Sequence, residues 1–164
     1  MFTHEKFTQL VQRYIDTVFR IALNYTKNPT DAEDIVQNVF LKLYAEKKEF
    51  QSDEHIRNWL LRVAVNEGKK YVRSPWRDTS SYEEYISSVP FPSPEHRELF
   101  AAVMALPKKF RLPIYLHYYE DYSTREIADI LRIPHGTVCT NLSRGRALLR
   151  EQLQEVESYE ECNF

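Results

Sequence analysis

Glycine and cysteine are scarce in this chain of 164 residues, and long apolar runs are absent from it. Its three glycines, Gly68, Gly136 and Gly145, lie far apart, which excludes a glycine-rich loop that cradles phosphates. Cys139 and Cys162 lack CxxC spacing, which argues against a disulfide framework and against a zinc site. We therefore expect no metal and no other cofactor.

Signals for membranes, export and catalysis are lacking as well. No apolar stretch approaches the roughly 20 residues that span a bilayer, and the N-terminus has no basic segment followed by an apolar one. We expect a cytoplasmic protein without membrane insertion. The five histidines form no HExxH or ExxH pair, and neither a GxSxG nor a Walker pattern occurs, so an enzyme is disfavoured.

Three amphipathic helices are predicted in the first part of the chain, from apolar residues at helical spacing. The first ends before Asn28-Pro29, and a capping box of Thr30 and Glu33 is expected to start the second. After a polar loop around Phe50, the third helix is predicted over residues 55–72.

The apolar stripes of these three helices include Ile15, Tyr44 and Trp59. All three side chains are therefore predicted to lie in the core of the first lobe.

A second helical lobe follows residues 77–92, whose Ser, Pro and acidic residues without a sustained period predict a flexible linker. Ser93 before Pro94 suits a helix start, and Pro113 is expected to bend a later helix or to delay its start. No strand period occurs. The predicted fold is all-α, with helical domains over residues 1–76 and 93–153 and an acidic tail over residues 154–164.

The clearest signals for helix starts and ends in the chain lie between Tyr122 and Arg146. Ser123 and Glu126 form a capping box that predicts a helix beginning at Thr124. Arg132-Ile133-Pro134 ends that helix, and the next one combines an apolar stripe with a small, polar and basic opposite side. This pattern predicts a four-helix lobe with a helix-turn-helix, although periodicity alone leaves open a hairpin that merely packs.

Charge is distributed unevenly along the chain, whose net charge is −2. Residues 57–77 contain six basic residues and one acidic residue, and residues 132–150 contain four basic residues and no acid. Residues 78–98 and 151–164 are acidic. Because binding depends on the local field, the two basic segments are candidate nucleic-acid surfaces.

Four segments resemble the extracytoplasmic-function class of bacterial RNA polymerase sigma factors, the subunits that recognise promoters. They are DAEDIVQNVFLKLY, WLLRVAVNEGKKYVRS, ALPKKFRLPIYLHYYEDYSTREIADIL and GTVCTNLSRGRALL. The resemblance implies that residues 1–76 form sigma region 2 and residues 93–153 form region 4. It implies three partners, namely core RNA polymerase, promoter DNA and an anti-sigma factor, for a chain that is monomeric when free. Catalysis would belong to the core polymerase.

The resemblance assigns polymerase binding to the second helix, where Asp34, Gln37 and Asn38 occupy the matching positions. Many relatives carry Glu in place of Asn38. The loop over residues 50–55 and the third helix would hold the start-proximal promoter element as it melts, with one base flipped into a pocket. The residues at these positions are Phe50, Gln51, Ser52, Asp53, His55, Asn66, Lys69, Lys70 and Arg73.

Among these residues, Asn66 suits a base edge, whereas Lys69, Lys70 and Arg73 suit phosphates. Tyr71 and Trp76 either stack on bases or pack against the linker.

The upstream promoter element is assigned to the last predicted helix. The matching residues are Thr137, Cys139, Thr140, Asn141, Ser143, Arg144 and Arg146. Arg144 suits guanine or a phosphate, whereas Thr140 and Ser143 allow close approach. Relatives commonly carry Lys or Arg in place of Cys139 and often Arg in place of Asn141. Either the upstream contact is weaker here, or its sequence preference is unusual.

A stand-alone helix-turn-helix regulator is the alternative function, because its terminal lobe would have the same pattern. The basic helix around Asn66 to Arg73 argues against it, since a regulator would carry a ligand or receiver domain there. Control is expected from the acidic linker and tail covering the basic patches, or from an anti-sigma protein that clamps both lobes.

Overall fold

A computed structural model describes residues 2–74, 83–84, 86 and 92–161 of the protein, the side chains of residues 154–161 excepted. Most of these residues are helical and they include no β-strand, which confirms the all-α prediction. The helices are α1 (His4–Thr26), α2 (Pro29–Ala45), α3 (Asp53–Arg73), α4 (Pro94–Ala105), α5 (Lys108–Tyr118), α6 (Thr124–Leu131) and α7 (His135–Glu161). Most of the predicted linker, Trp76 and Cys162 lie outside the described residues.

The chain divides into two compact units, residues 1–89 and residues 90–164. In the first unit, α1, α2 and α3 pack against one another around fully buried side chains such as Val18, Val39 and Leu60. α3 approaches α1 closely at Gly68, where an added Cβ would lie 2.3 Å from Cδ2 of Tyr25. Any side chain at this crossing would force the ring of Tyr25 or the helix to shift.

Two helices begin earlier than predicted. The Thr30–Glu33 capping box is wrong, because the side chain of Asn28 accepts a hydrogen bond from the backbone N–H of Asp31 and starts α2 at Pro29. A proline at the first helical position loses no hydrogen bond, which favours this earlier start.

α3 begins at Asp53 because Oγ of Ser52 accepts a hydrogen bond from the backbone N–H of His55. Asp53 and His55 therefore lie in the first turn of α3. The sequence predicts a helix start at His55 and a loop at Asp53, so the observed start is two residues earlier.

The second unit contains the predicted helix-turn-helix. Oγ of Ser123 accepts from the backbone N–H of Glu126, and the carboxylate of Glu126 accepts from the backbone N–H of Ser123, each at 3.1 Å. This confirms the capping box. Arg132 then adopts a left-handed conformation with φ 55°, which ends α6 at Leu131 and leaves a three-residue turn before α7.

Two features of the second unit differ from a simple reading of its sequence. α5 runs through Pro113 from Lys108 onward, so the proline does not delay the start of the helix. α7 continues to Glu161, so residues 154–161 of the predicted tail belong to the same helix as Thr140 and Arg144.

Several side chains assigned to the core lie at its margin. Ile15 is 39% exposed and Tyr44 is 60% exposed, and Trp59 is only partly buried. Helical periodicity gives the direction of an apolar stripe but not its width, which depends on how closely the neighbouring helices approach. The predictions of burial are therefore wrong for Ile15 and Tyr44, whereas Trp59 is buried in part and its ring meets Phe50.

Candidate nucleic-acid interface

α2 presents a continuous exposed ridge on the side that faces away from the core. Asp34, Gln37 and Asn38 are all exposed on it. Leu41 and Tyr44 continue the same side at helical spacing and are 65% and 60% exposed. Sequence reasoning missed Leu41, although counting seven residues on from Asp34 places it on this ridge. The ridge thus combines polar groups with two large apolar side chains.

An aromatic cluster lies at the loop between α2 and α3. The ring of Phe50 stacks on Phe2 with centroids 5.9 Å apart and meets the rings of His55 and Trp59 edge to face. A cavity of about 350 Å³ adjoins the cluster. Its lining includes Phe2, Lys6, Phe50, Gln51, Ser52 and Asp53. The cavity thus has both aromatic and polar groups in its lining, and its volume is that of a small-molecule pocket.

Some polar groups of this loop already have partners within the unit. The backbone N–H of Gln51 donates to Nδ1 of His55 at 3.2 Å, so Nε2 carries the proton of the neutral ring. The carboxylate of Asp53 pairs with Lys6 at 3.5 Å and with Arg13 at 3.3 Å, both on α1. These pairs fix the start of α3 against α1.

The basic side of α3 contains one acidic residue that binds two lysines. Oε1 of Glu67 accepts from Nζ of Lys70 at 3.3 Å and also from Nζ of Lys42, which lies on α2. The Glu67 side chain is 11% exposed. Burial raises the pKa of Glu67, but hydrogen bonds from Lys42 and Lys70 outweigh burial and lower the pKa below its ordinary value.

Lys42 and Glu67 were not among the predicted site residues. The i,i+3 spacing of Glu67 and Lys70 is visible in the sequence, whereas the contact with Lys42 depends on how α2 packs on α3. Of the other predicted site residues of α3, Asn66 and Lys69 are partly buried and Arg73 is exposed.

Tyr71 has a structural role in this unit. Its hydroxyl donates to Oδ2 of Asp31 at 2.7 Å, and its side chain is partly buried, so it joins the end of α3 to the start of α2. This contact favours packing over base stacking for Tyr71. Trp76 lies outside the described residues.

α7 carries a buried face and an exposed polar face, as its sequence predicts. Val138, Leu142 and Gly145 are buried. An added Cβ on Gly145 would lie 2.4 Å from Cδ1 of Ile114, so this glycine allows α7 to pack closely on α5. On the opposite face the exposed residues are Thr137, Cys139, Thr140, Ser143 and Arg144, and Asn141 is partly buried beside them.

His135 joins the two helices of the helix-turn-helix and was missed by sequence reasoning. Its Nε2 forms a hydrogen bond with Oγ1 of Thr124 at 2.7 Å and lies 3.6 Å from Sγ of Cys139. The i,i+4 spacing of His135 and Cys139 was the available signal. This contact fixes the start of α7 next to the start of α6.

Arg146 lies on a different side of α7 from Arg144. Its guanidinium donates to the hydroxyl of Tyr118 at 2.9 Å. Arg146 and Tyr118 line a groove of about 410 Å³ formed by α4, α5 and α7. The lining of this groove is mostly apolar and includes Leu99 and Tyr119. Burial raises the pKa of the Tyr119 phenol. The structure thus directs Arg146 toward this groove, away from the exposed polar face.

Within the described ranges, no group of three or more His, Cys, Asp or Glu side chains is arranged to hold a metal ion. None of the helices in those ranges has both the length and the apolar character needed to cross a bilayer.

Comparison with known proteins defines the class of protein to which these features belong. Residues 10–78 match the family model of Sigma-70 region 2, and residues 96–149 match that of Sigma-70, region 4. The ECF RNA polymerase sigma-E factor of Escherichia coli (strain K12) is 30% identical over 166 residues, which cover 90% of this chain and 86% of the relative. SigW of Bacillus subtilis (strain 168) is 28% identical over 170 residues, covering 93% and 91%.

Two solved structures share the fold. CnrH, in complex with the cytosolic domain of CnrY, matches with a TM-score of 0.68 and 24% identity over 93% of this chain and 90% of that one. The sigma factor RpoE of Bartonella quintana, in complex with the anti-sigma factor NepR, matches with a TM-score of 0.68 and 22% identity over 90% and 96%.

The chain belongs to the extracytoplasmic-function class of RNA polymerase sigma factors, as the four sequence segments predicted. It directs transcription initiation, and the stand-alone regulator is not favoured. Its relatives are promoter-specificity subunits and not enzymes.

Proposed function

We propose that this sigma factor attaches to core RNA polymerase through α2 and holds two parts of a promoter with its two units. The observation that carries this proposal is the division of α7, which buries Val138 and Leu142 while it exposes Thr140, Ser143 and Arg144. The free protein is a monomer in the cytoplasm, and the core polymerase performs the catalysis.

The upstream element is read by α7 in the major groove, as in other helix-turn-helix proteins. Arg144 binds guanine or a phosphate, and the small side chains of Thr140 and Ser143 let the helix approach the bases. Cys139 and Asn141 supply no positive charge where relatives commonly carry Lys or Arg, so this unit has fewer phosphate contacts. Arg146, which is bonded to Tyr118, contributes to the groove and not to base reading.

The start-proximal element is held by the first unit, residues 1–76, in single-stranded form. The cavity beside Phe50 receives one flipped base, whose extrusion costs a few kcal/mol. Stacking on an aromatic ring, about 1–3 kcal/mol per base, offsets that cost. Asn66 is placed for a base edge, and Lys69 and Arg73 for the backbone. Asp53, already paired with α1, acts by positioning the loop.

Polymerase binding is assigned to the ridge formed by Asp34, Gln37, Asn38, Leu41 and Tyr44. The two large exposed side chains are of the kind that anchor a protein interface, and the polar residues form its rim. An exposed leucine and tyrosine along one helix are explained by a partner that covers them.

An anti-sigma factor is proposed to bind the second unit in the groove of α4, α5 and α7. The lining of the groove is mostly apolar and also includes His96, Arg146 and Arg150. This lining fits an amphipathic helix that presents apolar residues to the apolar side chains and acidic residues to the basic ones.

The proposal is tested by mixing the protein with core polymerase and measuring co-elution and run-off transcription from a promoter found by mapping transcript starts. Leu41→Lys is expected to abolish both, because it places a charge in the ridge. Gln9→Lys, at an exposed position of α1, is the matched control and should leave both unchanged. Duplex binding by the chain without a gain in promoter-specific initiation would contradict the proposal.

A further inference from the structure

The residues that precede α1 bring an aromatic ring to the loop between α2 and α3. Oγ1 of Thr3 accepts a hydrogen bond from the backbone N–H of Lys6 at 3.1 Å and starts α1 at His4. Such a cap fixes the direction in which the chain enters the helix. Phe2, next to this cap, stacks on Phe50 with centroids 5.9 Å apart and an angle of 21° between the rings. The cap thus places Phe2 against a loop that is distant in the sequence.

The ring of Phe2 pairs with this loop although its local sequence predicts a partner on α1. An apolar residue immediately before a helix cap often packs against the fourth residue of the helix, which is Phe7 here. The ring of Phe7 instead meets Tyr44 edge to face at 5.2 Å. Among the rings that the structure describes, Phe50 is the one that Phe2 contacts. A role at the loop accounts for this departure from the usual local pairing.

Phe2 and Phe50 differ in how much of each ring is already in contact with other rings. Phe50 stacks on Phe2 and also meets the rings of His55 and Trp59, at 5.1 and 5.7 Å. A stacked pair covers one face of each ring, so Phe2 keeps its second face. Phe2 is only partly buried and lines the cavity of about 350 Å³ together with Phe50. Phe2 therefore has an aromatic face available to a ligand in that cavity.

Ion pairs hold this part of α1 against the start of α3. Nζ of Lys6, which also lines the cavity, lies 3.5 Å from Oδ1 of Asp53. Nη1 of Arg13, farther along α1, lies 3.3 Å from Oδ2 of the same carboxylate. Together with the cap at Thr3, these pairs fix where the two phenylalanine rings meet. The aromatic part of the cavity thus exists before a ligand binds, which avoids the cost of ordering it on binding.

We propose that Phe2 stacks on the extruded base of the start-proximal promoter element. This inference rests on the proposed function and deepens it, because it assigns the stacking ring to the residues before α1 and not to the loop. Stacking on an aromatic ring is tolerant of sequence, since every base has a π-face. Phe2 therefore supplies affinity, whereas selection among the bases is left to polar groups of the lining such as Gln51 and Ser52.

The experiment uses preformed holoenzyme and promoter DNA whose start-proximal element is single-stranded. The bases of this element are removed one at a time, each leaving an abasic site, and the affinity is measured for the wild type and for Phe2→Ala. On intact DNA, Phe2→Ala should weaken binding by roughly 5- to 150-fold, the contribution of one base–aromatic stack. At one abasic position that also weakens the wild type, Phe2→Ala should have no further effect, because its partner is already missing.

Three further variants separate stacking from packing. Phe2→Trp keeps an aromatic face and should retain the affinity of the wild type. Phe2→Leu keeps an apolar contact with Phe50 without an aromatic face, so it should lose affinity at the same DNA position as Phe2→Ala. Phe19→Leu is its matched control, since Phe19 is also partly buried and lies roughly 20 Å farther along α1. It should leave the affinity unchanged.

Two results would overturn the inference alone. In the first, Phe2→Ala leaves binding to intact DNA unchanged while base removal still weakens the wild type, so that a base pocket exists without Phe2. In the second, Phe2→Ala weakens binding by the same factor at every abasic position, so that Phe2 only supports Phe50. A wild type whose affinity depends on none of these bases would instead contradict the base pocket of the proposed function, and the inference with it.

Discussion

Glu67 shows how one carboxylate can determine the charge pattern of a surface. Moving an ionised group away from water is costly unless hydrogen-bonded partners compensate. Glu67 has two such partners, Lys42 and Lys70, and both reach solvent beyond it. In the sequence Glu67 is the single acidic residue of a basic segment, and this gives no sign that it binds two lysines. A sum of charges along a chain gives the sign of a surface but not which cations are held in place.

The pKa shifts of this cluster predict a stability difference that depends on pH. The folded state lowers the pKa of Glu67 below 4.5 and raises that of Lys42 above 10.5. The first contribution is present above about pH 4.5 and is lost as the pH falls through the lowered pKa. The second is present below about pH 10.5 and is lost as the pH rises through the raised pKa.

Glu67→Gln should therefore destabilise the protein at neutral pH and have less effect in acid. Because both ammonium groups are half exposed and screened, the expected loss is on the order of 1 kcal/mol. Urea denaturation of wild type and variant at about pH 7 and about pH 3 measures this difference. Lys47→Gln, which leaves the cluster intact, should show no such pH dependence. An equal loss at both pH values would show that Glu67 acts by packing alone.

Helix ends could be predicted where one local signal dominates. The Ser123–Glu126 box starts α6 as expected, because both of its hydrogen bonds form within four residues. At α2 two caps compete within three positions, and Asn28 starts the helix instead of Thr30 because Pro29 fits the first helical position. Sequence alone does not show which of two adjacent capping residues starts a helix. Each can accept a hydrogen bond from a backbone N–H of the first turn that would otherwise bond to solvent.

Buried faces were predictable in direction but not in extent. Val39 and Leu43 are buried as expected, whereas Tyr44, next to Leu43, stays 60% exposed because its ring is met by α1 only at the edge-to-face contact with Phe7. The same limit hid the groove lined by Tyr118 and Tyr119, which exists only once α4, α5 and α7 have packed. Leu41 was missed because it lies on the polar side of α2. Apolar periodicity identifies the side of a helix that packs on the core, and it gives no information about a surface for a partner on the other side.

The close contact between α1 and α3 predicts a strong effect of one methyl group. In Gly68→Ala the new Cβ would meet Cδ2 and Cγ of Tyr25 at 2.3 and 2.4 Å, and this ring is buried. Either the ring or the helix must shift, so we expect a loss of about 1–3 kcal/mol in the free energy of unfolding. Chemical denaturation measures it.

Gly136→Ala is the matched control for this substitution. Gly136 also lies in a helix, without a positive φ, and nothing lies within 4 Å of a Cβ added there. Alanine should stabilise that position by up to about 1 kcal/mol through its helix propensity. If both alanine variants changed stability in the same direction, steric contact at Gly68 would not be the cause.

Two units with different surfaces agree with the proposal that the protein holds DNA in two forms. The second unit presents a rigid helix that suits the major groove of a duplex. The first presents a cavity with an aromatic wall and a row of polar groups, which suit an extruded base and its backbone. The alternating charge of the sequence predicted that two basic surfaces exist. It did not predict the cavity, which depends on Phe2 from one end of the unit meeting Phe50 from the middle.

This division predicts that a substitution in one unit weakens binding only to the promoter element which that unit contacts. Arg144→Ala should weaken holoenzyme binding to a complete promoter by about 1–3 kcal/mol, because a base or phosphate contact of α7 is lost. On DNA that lacks the upstream element it should have no effect. Arg73→Ala, at the end of α3, should weaken binding to both DNAs equally, because the start-proximal element is present in both.

The double variant with Arg144→Ala and Arg73→Ala tests whether the two units bind their promoter elements independently. Contacts at distant, independent sites add to within about 0.5 kcal/mol, so on the complete promoter the combined loss should equal the two single losses. On the shortened DNA the double variant should match Arg73→Ala alone. A loss for Arg144→Ala on the shortened DNA would mean that α7 does not act through the upstream element. A combined loss well above additivity would mean that each unit places the other on the DNA, so that the two elements are not read independently.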